Sequence, residues 1–395
     1  MNSPLIKIVV KNYRCLADIS VQTNSLNVLF GANGVGKSTF LDTIWFLRDC
    51  AIRGVEFASS DRDHGIGLLW DRAEEQENII IELESNLARY QVSFGYSSGR
   101  IEPFVGEKLI SKETNLSMIN RTIGSDRVLF SNEESKETFS SLKEPNKLAL
   151  TKYAELEQNN SVASEIDNLL RQVRFYNSRS YSLYKLKKFG SEVDYSYRLQ
   201  DRAENLWSVL RNLHGRSVID DRYITIIQFM REAFPNFEEL YFEQTGPLSV
   251  YAYFLDKKRR KPIQASGISD GHLQLLINLT ALFSEGKNRT LILMDEPETS
   301  LHPWALAIFG KAVKRATEEW NKQVFIATHS PVLLSQFEAQ DILAAELDAQ
   351  GKTVIKRVSQ IEEVQDLLEN YAVGSLYMAE MIAPQSQSAI KEVKA

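Results

Sequence analysis

Gly31-Ala32-Asn33-Gly34-Val35-Gly36-Lys37-Ser38 is the stretch on which the fold turns. Four residues separate the first glycine from Gly36-Lys37-Ser38, the spacing of a phosphate-binding loop. Its setting agrees. Leu26-Asn27-Val28-Leu29-Phe30 ahead of it is a short apolar run that reads as a buried strand. Behind it, Thr39-Phe40-Leu41-Asp42-Thr43-Ile44-Trp45-Phe46-Leu47 carries apolar residues at helical spacing. Glycine at this density lets the backbone curl so that successive N–H groups point inward at phosphate oxygens, helped by the positive end of the following helix. Asn33, Gly34, Gly36 and Thr39 belong to that cradle. Lys37 is placed to reach the β and γ phosphates, and the Ser38 hydroxyl to hold Mg²⁺. The reading is a site for a nucleoside triphosphate with Mg²⁺.

The rest of the composition sets bounds. A chain of 395 residues suggests two or three lobes, and 43% hydrophobic with 25% charged residues is ordinary for a globular protein. A net charge of −6 offers no global attraction to nucleic acid or anionic lipid, so any such binding needs a local patch. Cys15 and Cys50 lie far apart in no metal-like spacing and read as reduced core residues. The N-terminus lacks a basic region followed by an apolar stretch, and the longest near-apolar run, 273–283, is too short to span a bilayer. The expectation is a cytoplasmic protein with no membrane segment.

Along the chain, strands are expected at 5–10, 18–22 and 26–30, then the P-loop helix to about 51, and strands near 78–83, 90–96 and 100–105. From about 107 to 165 the sequence turns polar, as in Ser131-Asn132-Glu133-Glu134, and 148–173 has helical periodicity. Residues 1–106 therefore read as a first lobe and 107–235 as an inserted, mostly helical lobe, with helices at 202–213 and 220–233. Residues 236–395 read as a second lobe with strands at 237–244, 248–255 and 262–265. Its alternation of strand and helix through 291–294, 304–320, 324–327 and 342–346 predicts a parallel, helix-flanked sheet, an α/β fold.

The second lobe carries more chemistry. Thr290-Leu291-Ile292-Leu293-Met294-Asp295-Glu296-Pro297 is an apolar strand ending in two acids. Asp295 at the strand tip suits the Mg²⁺ shell, and Glu296 can take a proton from an attacking water. Upstream, Ser269-Asp270-Gly271 opens a helix; downstream, Phe325-Ile326-Ala327-Thr328-His329 is a strand ending in a histidine. These segments resemble the ABC-type ATPase set of Walker A, signature, Walker B with catalytic glutamate, D-loop (Glu298 to Pro303) and H-loop. The spacings of 26 residues from Ser269 to Asp295 and 34 from Asp295 to His329 agree with it. The 258 residues between Lys37 and Asp295, with the opening Ile8-Val9-Val10-Lys11-Asn12-Tyr13-Arg14, resemble the RecF, Rad50 and SMC branch. Closer still, the chain is similar to RecF-like AAA family ATPases of bacterial anti-phage defence operons, related to the ATPase half of OLD-family nucleases. Val173-Arg174-Phe175-Tyr176-Asn177, Ala233-Phe234-Pro235-Asn236-Phe237 and Leu368-Glu369-Asn370-Tyr371-Ala372-Val373-Gly374 carry that likeness beside the motifs above.

The resemblance implies a head-to-tail homodimer around two ATP molecules. Lys37, Ser38 and Thr39 of one protomer would face Ser269 and Gly271 of the other, with His329 on the γ-phosphate and Ser300 working across the interface. Asp270 departs from the glycine of transporter signatures, and the Q-loop glutamine is not placed, Gln76 and Gln91 both being candidates. His302 is either a helix cap or a D-loop contact, while His64, His214 and His272 show no ligand spacing. The OLD relatives carry a C-terminal TOPRIM nuclease domain. With 66 residues after His329 none is expected here, so effector chemistry, HNH or TOPRIM-like, is assigned to a partner chain. The alternative is a RecF-like repair ATPase that binds DNA ends or gaps. Candidate DNA contacts are the basic run Lys257-Lys258-Arg259-Arg260-Lys261, otherwise a solvated hairpin tip, and the bases and tyrosines of 171–197, otherwise packing residues.

Overall fold

The computed structural model describes residues 5–384 apart from 63–64, 75, 133–135, 145 and 157–160. His64 lies outside the described residues, as does part of the polar stretch around 131–137. The chain forms two compact units that interleave in sequence. One holds the described residues up to 173 together with 343–362; the other holds 174–342 and 363–382.

In the first unit, strand alternation is regular. Ile79–Glu84 reads buried, half-buried in turn, which places Ile79, Ile81 and Leu83 on one face. Eight strands build an antiparallel sheet in the order 16–22, 7–13, 79–84, 88–97, 100–111, 117–121, 127–131, 137–141. The polar stretch after 107, expected to be mostly helical, thus begins as sheet. Lys108, Asn120 and Arg127 and their neighbours alternate with Leu109, Ile119 and Val128, so one face is wet and the mean polarity rises without loss of strand pattern. Two helices, Ala149–Leu156 and Ser161–Arg171, follow. Glu107 joins sheet to helix. Its buried carboxylate accepts from Tyr90 Oη (2.8 Å), Arg121 Nη1 (3.2 Å) and the backbone N–H groups of Ala149 (2.6 Å) and Leu150 (3.2 Å). It caps the helix and neutralises a buried guanidinium at once.

The strand Leu26–Phe30 is buried at all five positions, as its composition predicts, and feeds the P-loop helix Lys37–Arg53. It lies beside Ile342–Leu347, which pairs antiparallel with Thr353–Arg357. Asp42 and Asp49 of the helix fix its orientation. Asp42 accepts from Tyr13 Oη (2.6 Å) and Arg62 Nε (2.9 Å), and Asp49 from Arg62 Nη1 (3.3 Å). Burial, with Asp42 next to it, pushes the Tyr13 phenol well above its ordinary value, so it remains a donor.

The second unit contains the parallel pair Thr290–Asp295 and Lys322–Ala327, every residue of both strands buried, with Val173–Asn177 alongside the former. Strands buried along their whole length belong to sheets covered on both faces. The helices Asp270–Phe283 and Pro303–Glu319 belong to this unit. A smaller antiparallel sheet pairs Phe237–Gly246 with Ser249–Asp256. Among the described residues no helix is long and apolar enough to cross a membrane.

Candidate nucleotide site

In the first unit the P-loop backbone takes the shape its glycines permit. Gly36 sits at φ 97°, and a Cβ there would stand 2.9 Å from Leu16 Cδ2 and 3.0 Å from Cys15 Sγ. A Cβ at Gly31 would stand 2.0 Å from the Ala345 carbonyl oxygen, so neither position admits a side chain. Thr353 Oγ1 donates to the carbonyls of Val35 (3.1 Å) and Cys15 (3.2 Å), bracing the loop from the neighbouring strand. Cys15 is only half-buried, a correction to its reading as a core thiol, and its Sγ lies 3.4 Å from Thr39 Oγ1. Cys50 is buried as expected.

Lys37 is 6% exposed, and its ammonium donates to the carbonyls of Gly31 (2.9 Å) and Ala32 (2.8 Å). The side chain therefore folds back over the loop. Gly36 caps the helix without a side-chain bond, and the first turn holds no acid. A cation and the positive end of a 17-residue helix converge on one loop with no carboxylate in the first helical turn to oppose an anion. Asn33, Gly34 and Ser38 are exposed and Thr39 partly so. These residues fit a Mg-bound polyphosphate.

In the second unit, the strand Thr290–Asp295 delivers Asp295 at its tip, and the chain then kinks. Glu296 and Ser300 take φ of 50° and 63°, left-handed values rare outside glycine. Asn177 Nδ2 donates to Asp295 Oδ2 at 3.1 Å, while Asn177 Oδ1 accepts from the Arg179 backbone N–H at 2.9 Å. Arg179 reaches Glu296 Oε2 with Nε at 2.7 Å and Nη2 at 2.6 Å. His329 Nε2 stands 3.8 Å from Glu296 Oε1. Glu298 clamps the two loops together: its Oε1 accepts from Thr328 Oγ1 and the His329 N–H, both at 2.7 Å. Its other oxygen is buried without a hydrogen-bond partner. Burial pushes the Glu298 carboxyl above its ordinary value, and the nearby Glu296 adds to the shift.

The signature segment lies in the same unit. Ser269 accepts from the His272 N–H at the helix start, and its Oγ is 2.7 Å from His272 Nδ1. The His272 ring stacks on Phe234 with centroids 3.6 Å apart. A Cβ on Gly271 would lie 2.6 Å from the Ser300 carbonyl oxygen, so signature and D-loop touch within one chain. Asp270, the departure from the transporter pattern, pairs with Lys187 at 2.5 Å.

The structure thus brings Asp295, Glu296 and His329 together at the tips of two adjacent strands, brings Ser269, Gly271 and Ser300 together where signature and D-loop meet, and holds Asn33, Gly34, Gly36, Lys37, Ser38 and Thr39 in the P-loop. Two residues that sequence reasoning did not assign to the site touch its members, Asn177 and Arg179, and Glu298, expected only as the start of the D-loop, bonds the His329 N–H. His302 caps its helix, its Nδ1 accepting from the Trp304 N–H at 3.3 Å. His214 packs against Tyr223 and Phe242. Gln91 bonds Ser93 across its own strand at 3.1 Å, and Gln76 bonds Glu74.

A family model described as "AAA domain, putative AbiEii toxin, Type IV TA system" matches residues 26–335, from the strand before the P-loop to just past the H-loop. The chain belongs to this family. Among curated proteins it is 23% identical over 350 residues to "Endonuclease GajA" of Bacillus cereus (strain VD045), covering 84% of this chain and 56% of that one. To "Old nuclease" of Escherichia phage P2 it is 30% identical over 138 residues, 33% of this chain and 23% of that one. To "Protein ea59" of Escherichia phage lambda it is 38% identical over 69 residues, 18% and 13% of the two chains. The chain spans about half the length of the GajA relative and less of the others. Among solved structures, an SMC head bound to the C-winged helix domain of ScpA superposes with a TM-score of 0.51 at 11% identity, over 89% of this chain and 97% of that one. The fold is therefore that of an ABC-type head of the SMC kind, as the resemblance to that branch implied.

The segments weighed for nucleic acid turn out differently. Tyr176 and Tyr181 are buried and bond Leu199 O (3.2 Å) and Asn278 Oδ1 (3.0 Å). Arg174 is paired with Glu285 at 2.5 Å and Lys185 with Glu204 at 3.0 Å. These four side chains are packing and ion-pair residues, whereas Tyr184 and Tyr195 of the same segment are exposed. The run 257–261 forms the turn after the strand Ser249–Asp256 and is exposed.

Proposed function

We propose that this chain binds and hydrolyses ATP as the regulatory subunit of a prokaryotic anti-phage defence or DNA-surveillance complex, and controls a separate effector, a nuclease of HNH or TOPRIM-like chemistry. The observation that carries the reading is the P-loop: Lys37 lies folded over the carbonyls of Gly31 and Ala32 at a helix start that no side chain caps. An ammonium held on carbonyl oxygens is readily exchanged for phosphate oxygens, which bind it more strongly.

In this reading Asn33, Gly34, Gly36 and Thr39 cradle the phosphates and Lys37 neutralises them. Ser38 and Asp295 hold Mg²⁺, which supplies charge neutralisation on the phosphate oxygens. Glu296 takes the proton of the attacking water and His329 binds the γ-phosphate. Ser269, Gly271 and Ser300 act across a head-to-tail homodimer. Names of the GajA and Old relatives support a nuclease as the effector class. The second reading, a RecF-like ATPase acting at DNA ends or gaps, rests on the exposed cationic turn at 257–261.

Lys37→Ala should abolish ATP binding measured by calorimetry, whereas Glu296→Gln should bind ATP and stop turnover. Hydrolysis by Glu296→Gln at the native rate would remove Glu296 as the base and sink that assignment. Cleavage of DNA or RNA should require a partner chain and respond to both substitutions. Cleavage by the chain alone that survives both would overturn the separate effector.

A further inference from the structure

We infer that Arg179 is a further nucleotide-site residue: it reads the terminal phosphate of the bound nucleotide, and its ion pair with Glu296 is the resting state that the phosphate displaces. The inference rests on the nucleotide-site reading above and deepens it.

Three observations carry it. The guanidinium lies with two nitrogens on one carboxylate oxygen of Glu296, at 2.7 and 2.6 Å, leaving Oε1 on the side of His329. The backbone beneath it is fixed. Asn177 accepts from the Arg179 N–H while donating to Asp295, and Ser180 Oγ donates to the Asn177 carbonyl at 2.8 Å. The side chain, by contrast, is 74% exposed. An ion pair this exposed is weak, because water and salt screen it and two side chains must be ordered to make it. A rigid anchor with a loosely held charged tip suits a group that changes partners.

The identity of the second partner follows from the chemistry at Glu296. A base that takes a proton from a water attacking the γ-phosphate stands one water away from the phosphorus. If Glu296 is that base, Arg179, in contact with it, is placed to turn its guanidinium toward the same phosphate. A doubly charged phosphate with planar pairs of oxygens competes well with a single carboxylate for a guanidinium. ADP lacks that group and leaves the pair with Glu296 undisturbed, so the contact reports the nucleotide's state.

The test separates ATP from ADP without relying on turnover. In the full chain carrying Glu296→Gln, calorimetry with Mg-ATP and Mg-ADP gives the preference between the two. Adding Arg179→Ala should weaken ATP roughly tenfold or more and leave ADP unchanged; Arg179→Lys should recover part of the loss. Restoring Glu296 beside native Arg179 should lower the affinity for a non-hydrolysable ATP analogue relative to Glu296→Gln, because the carboxylate then competes for the guanidinium. Equal loss for both nucleotides, or no loss for either, would overturn the inference while leaving the nucleotide site standing. Failure of the Glu296→Gln parent to bind either nucleotide would instead overturn the site itself.

Discussion

Gly271→Ala separates two explanations for a glycine in the signature. The resemblance assigns Gly271 to a partner's nucleotide, yet within one chain its missing side chain is where the Ser300 carbonyl oxygen sits, 2.6 Å from an ideal Cβ. Carbon and oxygen do not approach that closely without bonding, so one backbone must move by several tenths of an ångström. Ser300 has little freedom to give way, since its φ of 63° is already in a sparse region. Over-packing of this kind costs about 1–3 kcal/mol. Alanine's helix preference over glycine offsets up to about 1 kcal/mol. Gly271 is the second residue of its helix and not at positive φ, so no backbone strain is added. The net expectation is a loss of about 1–2 kcal/mol, which for a unit of this size lowers the melting temperature by roughly 2–8 °C. Differential scanning calorimetry of dilute protein without nucleotide measures it. A Gly271→Ala protein that melts at or above the native temperature, yet loses ATP-dependent self-association, would refute the intrachain account and reserve the glycine for the partner.

Glu107→Ala strips the cap from the helix Ala149–Leu156 and leaves Arg121 buried and without its carboxylate; about 3–5 kcal/mol should be lost, seen as a large drop in melting temperature with nucleotide-independent onset. The raised carboxyl of Glu298 means that the folded chain takes up a proton there more readily than the unfolded one. Its contribution is therefore fullest below the ordinary carboxylate range and falls as pH rises through the raised value. Melting temperature against pH should show that decline in the native protein and a flatter profile in Glu298→Gln; parallel profiles would exclude Glu298 as the source. ATP should tighten self-association in sedimentation velocity. A Lys37→Ala protein mixed with Ser269→Arg should recover at most one working site per dimer, and full activity of either variant as an isolated monomer would defeat the sandwich.

The sequence alone determined whatever depends on neighbours in the chain. The run Leu26-Asn27-Val28-Leu29-Phe30 is buried throughout because its four apolar residues leave a strand no polar face, and Asn27 is satisfied locally by the Asn24 carbonyl. The glycines of 31–36 announced a loop curled for phosphate, and the strand Thr290–Asp295 announced its terminal acid. What it hid depends on pairing between distant segments. The polar stretch after 107 continued the antiparallel sheet, because a one-sided sheet edge needs apolar residues at only every second position. Arg179 reads in sequence as one base among tyrosines, and only the fold sets it against Glu296, 117 residues away. Glu298 reads as one more acid after the strand. Its role as the clamp on His329 exists only because two parallel strands end side by side and a buried carboxylate must find donors where it emerges.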